Sequence, residues 1–184
     1  GDCKEISPEE VELIEGHKFE EIRTLFWRNS DLNFNNPNSL IKSLEERPQM
    51  EWLRKVHECE DERALKYFLK DEKNNLEFNE RTLKLLWECC QIPDFVKKTY
   101  GNHYEVIRNV FKFLNSEKGL ISDDYMRLQL MKLDKLEGNV DSLSNRIANV
   151  RTWSYVSNKN NWVENQNYWI EKTKHLEDRL SDRL

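Results

Sequence analysis

The chain has 184 residues, a formal net charge of −5 at pH 7, 38% hydrophobic and 34% charged residues, with five glycines, four prolines and six tryptophans. No apolar run approaches the roughly 18 residues of a membrane span, and the first residues lack the basic and apolar regions of a signal peptide. Scarce glycine and proline argue against turn-dense sandwiches and doubly wound sheets, while 11% aromatics supply anchors for a packed core.

Helical signals run through the chain in order. Ser7 as N-cap, Pro8 at the first helical position and Glu10 closing a capping box predict a helix that stops at Gly16. Phe19, Ile22, Leu25 and Phe26 recur at helical spacing and predict a second helix through about Trp27. Residues 29–39 read as a polar loop with two apolar pegs, Leu32 and Phe34. A short helix over Ser39–Glu46 ends near Pro48.

Beyond it, Glu60–Lys70 places Ala64, Leu65, Phe68 and Leu69 on one face. Asn79–Cys90 carries Leu83, Leu86, Trp87 and Cys90, and His103–Asn115 carries Tyr104, Ile107, Phe111 and Leu114. Ser122 caps a helix whose predicted inward residues are Tyr125, Met126, Leu128, Leu130 and Leu133. Val140, Leu143, Ile147, Val150 and Trp153 form the next face, followed by a polar loop over Ser157–Asn161. The last helix starts near Asn165 with Trp169, Thr173, Leu176, Leu180 and Leu184 on one side. No stretch alternates long enough to predict a sheet, and no fixed-period repeat appears. The expected fold is all-α, an irregular bundle of eight or nine short helices, with a possible subdivision into 1–48 and 49–184.

The charge is uneven. Residues 1–80 carry 12 Lys and Arg against 20 Asp and Glu, and residues 81–184 carry 17 against 14. The second part is therefore the one able to share a nucleic-acid surface. Cys3, Cys59, Cys89 and Cys90 form no metal-binding spacing. Adjacent Cys89 and Cys90 read as small buried hydrophobes, and cysteine usage fits a reducing compartment. No phosphate loop, dinucleotide fingerprint, zinc-protease motif or nucleophile elbow is present. His17, His57, His103 and His175 are scattered over separate elements and read as packing or surface residues. Asp123-Asp124 and Glu60-Asp61 read as helix-start charges.

Three stretches carry a resemblance: Leu25–Ser30, Leu85–Phe95 and Asp141–Val156, continued by Ile170–Asp182. They resemble the region that follows the two motor domains in bacterial DExH-box helicases of the SUV-three-like family, relatives of the mitochondrial degradosome RNA helicase. The likeness covers nearly the whole chain. It implies the accessory helical domain of an ATP-dependent superfamily 2 RNA or DNA helicase. Such a domain packs on the motor domains of the parent chain, helps guide single-stranded nucleic acid, and has no ATPase site of its own. It implies no cofactor in this piece, with ATP and Mg belonging to the parent motor. A bacterial relative would be cytoplasmic and a eukaryotic one mitochondrial. The missing initiator Met and the end at Leu184 fit a piece of a longer chain. Val96 stands where relatives carry Arg, so a phosphate contact there would move to Lys97 or Lys98.

The candidate strand-contacting residues are Lys97, Lys98, Arg146, Arg151, Lys159 and Trp162. Lys97, Lys98 and Tyr100 form a basic-aromatic run or a solvated linker. Arg146 and Arg151 lie five apart on one helix and face different directions, one toward a strand and the other toward a carboxylate. Trp162 beside Lys159 either stacks a base while the ammonium meets phosphate, or caps the bundle. Trp153 continues a core face, and Arg28 reads as an internal ion-pair partner. The alternative to strand guidance is a protein-interaction or bracing module with no nucleic-acid contact.

Overall fold

The computed structural model describes residues 25–70, 77–96 and 100–184. The helix start at Ser7, the periodic residues Phe19 and Ile22, and Lys97 and Lys98 lie outside them. The chain forms two compact units, residues 1–59 and 60–184.

In the first unit, strand β1 spans Leu25–Trp27, helix α1 spans Pro37–Glu45 and strand β2 spans Leu53–Lys55. The strands pair in parallel, Leu25 opposite Leu53 and Trp27 opposite Lys55, and the Val56 N–H extends the ladder to the Trp27 carbonyl at 2.8 Å. This corrects both the helix expected through Trp27 and the expectation of no sheet. Leu-Phe-Trp is a bulky run with strand propensity, and its backbone finds partners across the pair rather than along a helix. The pairing also keeps Leu53–Lys55 with the first unit, so the boundary falls after Cys59 rather than at the Pro48 break. Parallel strands need a long crossover, and α1 lies within it. Asn36 caps α1 by accepting the Ser39 N–H at 2.8 Å, with Pro37 in the first turn, so the helix starts before the predicted Ser39. Leu40 and Leu44 are its buried face. Asn29 fixes the preceding loop by donating to the Ser43 carbonyl at 2.9 Å and to Glu46 Oε2 at 3.0 Å.

The second unit is helical: α2 Glu60–Lys70, α3 Glu80–Cys90, α4 Tyr100–Leu114, α5 Asp123–Leu133, α6 Val140–Asn158 and α7 Gln166–Asp182. With α1, the described residues form seven helices, against eight or nine expected, in a mostly helical fold. Side-chain caps set three of the starts. Asn79 and Thr82 form a reciprocal capping box, Ser122 accepts the Tyr125 N–H, and Asn139 accepts the Ser142 N–H. Leu83, Leu86, Ile107, Val110, Leu143 and Val150 are among the buried core residues. Three residues predicted inward are exposed: Leu128, Val140 and Leu184. Leu128 is two positions from both buried Met126 and buried Leu130, a rotation of about 200°. Val140 stands at the first position of α6 and Leu184 lies past the end of α7.

Helices α6 and α7 make the most extensive packing. Gln166 donates to the Lys159 carbonyl beside the connecting loop, and Arg151 pairs with Glu177 farther along, so the two run antiparallel. Helix α5 is joined to α7 at one end. The Trp169 indole N–H, in a residue 1% exposed, donates to Asp123 Oδ1 at 2.8 Å, and Asn165 donates to Asp123 Oδ2 at 2.6 Å. Just before α5, the Ile121 N–H donates to the Trp162 carbonyl at 2.7 Å, in a one-residue parallel bridge between Ile121 and Val163. Lys118 pairs with Glu164 beside it.

Replacing Asp123 leaves a buried indole N–H without an acceptor. Asp123→Ala is expected to lower the unfolding free energy by about 2–3 kcal/mol in urea titration, with Asp124→Ala as the near-neutral neighbour. Cys89 and Cys90 are buried on α3, and burial pushes both thiols well above their ordinary range. The native chain holds these protons after the unfolded chain has released them. Stability is therefore complete below the unfolded thiol pKa of about 8.5 and falls continuously as pH rises past it, a decline that begins at about pH 8.5, continues above about pH 10, and is flattened by a Cys89→Ala, Cys90→Ala double variant. Iodoacetamide should label neither thiol until the chain is unfolded, as read by mass spectrometry.

Candidate nucleic-acid interface

The described site candidates are each committed to a different neighbour. Arg146, on α6, donates through Nη1 to the Lys135 carbonyl at 2.7 Å and to the Glu137 carbonyl. Its guanidinium lies against Gly138, whose φ of 126° belongs to glycine and where a Cβ would sit 3.3 Å from Nη2. Arg146 thus ties down the α5–α6 loop. Arg151 donates from Nε to Glu177 Oε1 at 2.8 Å and joins α6 to α7, meeting a carboxylate on the neighbouring helix. Lys159 follows the end of α6, with Nζ 5.4 Å from the Trp162 ring centroid and 5.8 Å from that of Tyr155.

Trp162 is 4% exposed, so its ring closes over the bundle and is not presented to a base. Of the two roles open to it in sequence, burial supports the capping one. Trp153 is likewise buried, with its ring edge-on to Tyr125. Among the described residues no group of three or more His, Cys, Asp or Glu side chains is placed to hold a metal. His103 serves packing: Nε2 lies 2.9 Å from the Ile92 carbonyl.

Net charge does not mark an interface. Counted by compact unit, Lys and Arg number 8 against 13 acidic residues in residues 1–59, and 21 against 21 in residues 60–184. The second unit is neutral, so any strand contact depends on local arrangement. One arrangement stands out. Along α7, Tyr168, Lys172, His175 and Arg179 follow one another at steps of four, three and four residues, one position behind the core stripe of Trp169, Thr173, Leu176 and Leu180. They line a groove of about 200 Å³ against α5.

The floor of that groove is apolar, from Leu130, Trp169 and Leu176. Met131 on α5 and Tyr168 on α7 are 64% and 52% exposed. Three cations stand on the rim. Arg127 pairs with Asp124 at 2.8 Å and Arg179 with Asp134 at 3.0 Å, each through a single Nη1. Lys172 makes no ion pair among the described residues. Asp134 is the carboxylate within the lining. None of these residues is among the strand-contacting candidates that the sequence suggests. The signal was available in the second stripe, which the stronger tryptophan–leucine stripe beside it obscured.

The arginine roles separate by assay. Arg146→Ala is expected to lower stability by about 1–3 kcal/mol through loss of the two carbonyl contacts, while leaving affinity for a single strand within about twofold of the unmodified chain. Urea unfolding and fluorescence anisotropy read the two effects.

No protein-family model, no curated protein and no solved structure matches the chain.

Proposed function

We propose that the chain is the accessory helical domain of an ATP-dependent superfamily 2 helicase, which packs on the motor domains and helps guide single-stranded nucleic acid without an ATPase site of its own. The observation that carries the reading is that the later stretches resembling the SUV-three-like helicases, all but Leu25–Ser30, pack together in the second unit. The Leu85–Phe95 stretch covers the end of α3 and the turn after it, Asp141–Val156 lies on α6, and Ile170–Asp182 lies on α7. Thr152 donates to the Pro93 carbonyl at 3.3 Å and Arg151 pairs with Glu177, so residues far apart in the chain belong to one packed body. A basic-aromatic stripe on the outer side of that body supplies the chemistry a strand needs: cations for phosphate and a ring for a base.

A bracing or protein-interaction role draws support from a different place. The β1–β2 pair is a two-stranded parallel sheet, an arrangement ordinarily covered on its faces, yet Leu25, Phe26, Met50 and Trp52 are exposed around it.

Titrating the 184-residue chain with labelled single-stranded RNA and DNA separates the readings. Strand guidance through about three phosphate contacts predicts binding that weakens by about tenfold or more between roughly 50 and 200 mM salt. Absence of binding at the lower salt would leave the bracing role. The chain alone is expected to hydrolyse no ATP, and hydrolysis would overturn both.

A further inference from the structure

We propose that the groove between α5 and α7 seats one nucleotide of a single strand, its base against Tyr168 and Met131 and its phosphates against Lys172, Arg127 and Arg179. The proposal rests on the reading that this domain touches a strand, and it names the place.

Volume gives the first argument. The groove holds about 200 Å³, below the roughly 300–1,000 Å³ of pockets that enclose a whole small molecule. It suits one unit of a polymer whose remainder stays outside. Its composition gives the second. An apolar floor with exposed aromatic and thioether walls is suited to the face of a base, which stacks irrespective of sequence. Tyr168 supplies the ring. Its ring meets that of Trp169 edge-on, with centroids 4.7 Å apart and planes at 84°, and Trp169 is anchored through its indole N–H to Asp123. The side chain that would stack thus rests one edge against an anchored ring and leaves about half of its surface open to a ligand.

Charge selects the occupant. Three cations, Arg127, Lys172 and Arg179, stand against two carboxylates, Asp134 in the lining and Asp124 beside Arg127, and His175 lies between two of the cations along α7. Each arginine spends Nη1 on its carboxylate, and a guanidinium offers five N–H donors in all. Both can keep their ion pairs and still meet a phosphate oxygen, while Lys172 has no carboxylate partner among the described residues. A stacked duplex presents no free base face to so small a groove, so the predicted occupant is an unpaired nucleotide.

Fluorescence anisotropy with a labelled oligouridylate at low salt tests the proposal on the full 184-residue chain, with circular dichroism showing that each surface variant folds. Tyr168→Ala is expected to weaken binding by about tenfold, the scale of one lost base stack, while Tyr168→Phe keeps it. Lys172→Ala should weaken binding and reduce the slope of log affinity against log salt by about 0.7, with Lys172→Arg restoring both. Lys112→Ala, on α4, should do neither. If the unmodified chain binds and Tyr168→Ala and Lys172→Ala bind equally well, the groove assignment is overturned and strand guidance survives elsewhere. If polyglutamate competes as well as the oligonucleotide and Tyr168→Ala is silent, the groove is a plain anion surface and the assignment fails. If the unmodified chain binds no strand, the guidance reading falls and the groove with it.

Discussion

The second unit depends on one carboxylate, Asp123, that meets a buried indole. Trp169 is almost wholly enclosed, and an enclosed indole N–H without an acceptor costs on the order of 1–3 kcal/mol. Asp123 supplies that acceptor from the first turn of α5, where the helix dipole also favours a negative charge. Its second oxygen takes Asn165, which immediately precedes α7. Two helix starts are thereby fixed to one side chain. The Ile121–Val163 bridge and the Lys118–Glu164 pair lie beside it, so segments more than forty residues apart are registered over a few positions.

That registration has consequences along the whole length of α7. Once Trp169 is pinned, helical geometry turns Thr173, Leu176 and Leu180 inward. The neighbouring row, Tyr168, Lys172, His175 and Arg179, is then carried to the edge of α5. Arg179 reaches Asp134, just past the end of α5, and closes the far side of the groove. The groove is thus a consequence of how the core is anchored, and its side chains stand on two helices tied together at both ends.

Much of the fold was legible in the sequence because its helices announce their own limits. Asn79, Ser122 and Asn139 each accept a backbone N–H three residues on, and the buried faces of α3, α4, α6 and α7 follow from single-period spacing. The strand at Leu25–Trp27 was not legible, since its partner lies at Leu53–Lys55 and pairing at that separation leaves no local mark. The interface candidates show the same division. Arg146, Arg151 and Lys159 are basic residues in suggestive positions, yet their charges meet loop carbonyls, Glu177 and aromatic rings. Spacing within one helix says which residues share a face; it does not say which carbonyl or carboxylate stands opposite.

Charge bookkeeping changes meaning with the boundary chosen. Cut at residue 80, the chain has an acidic and a basic part; cut where the compact units meet, it has an acidic unit and a neutral one. A neutral unit gains little from long-range attraction to a polyanion, so contact with a strand must come from short-range arrangement. The α5–α7 groove has that character, with three cations spaced around an apolar floor and two of them paired with carboxylates. The acidic first unit has the opposite character: a short parallel strand pair bordered by exposed Phe26 and Trp52, suited to covering by protein and repellent to phosphate. The two proposed roles, strand guidance and bracing, thus rest on features of different units.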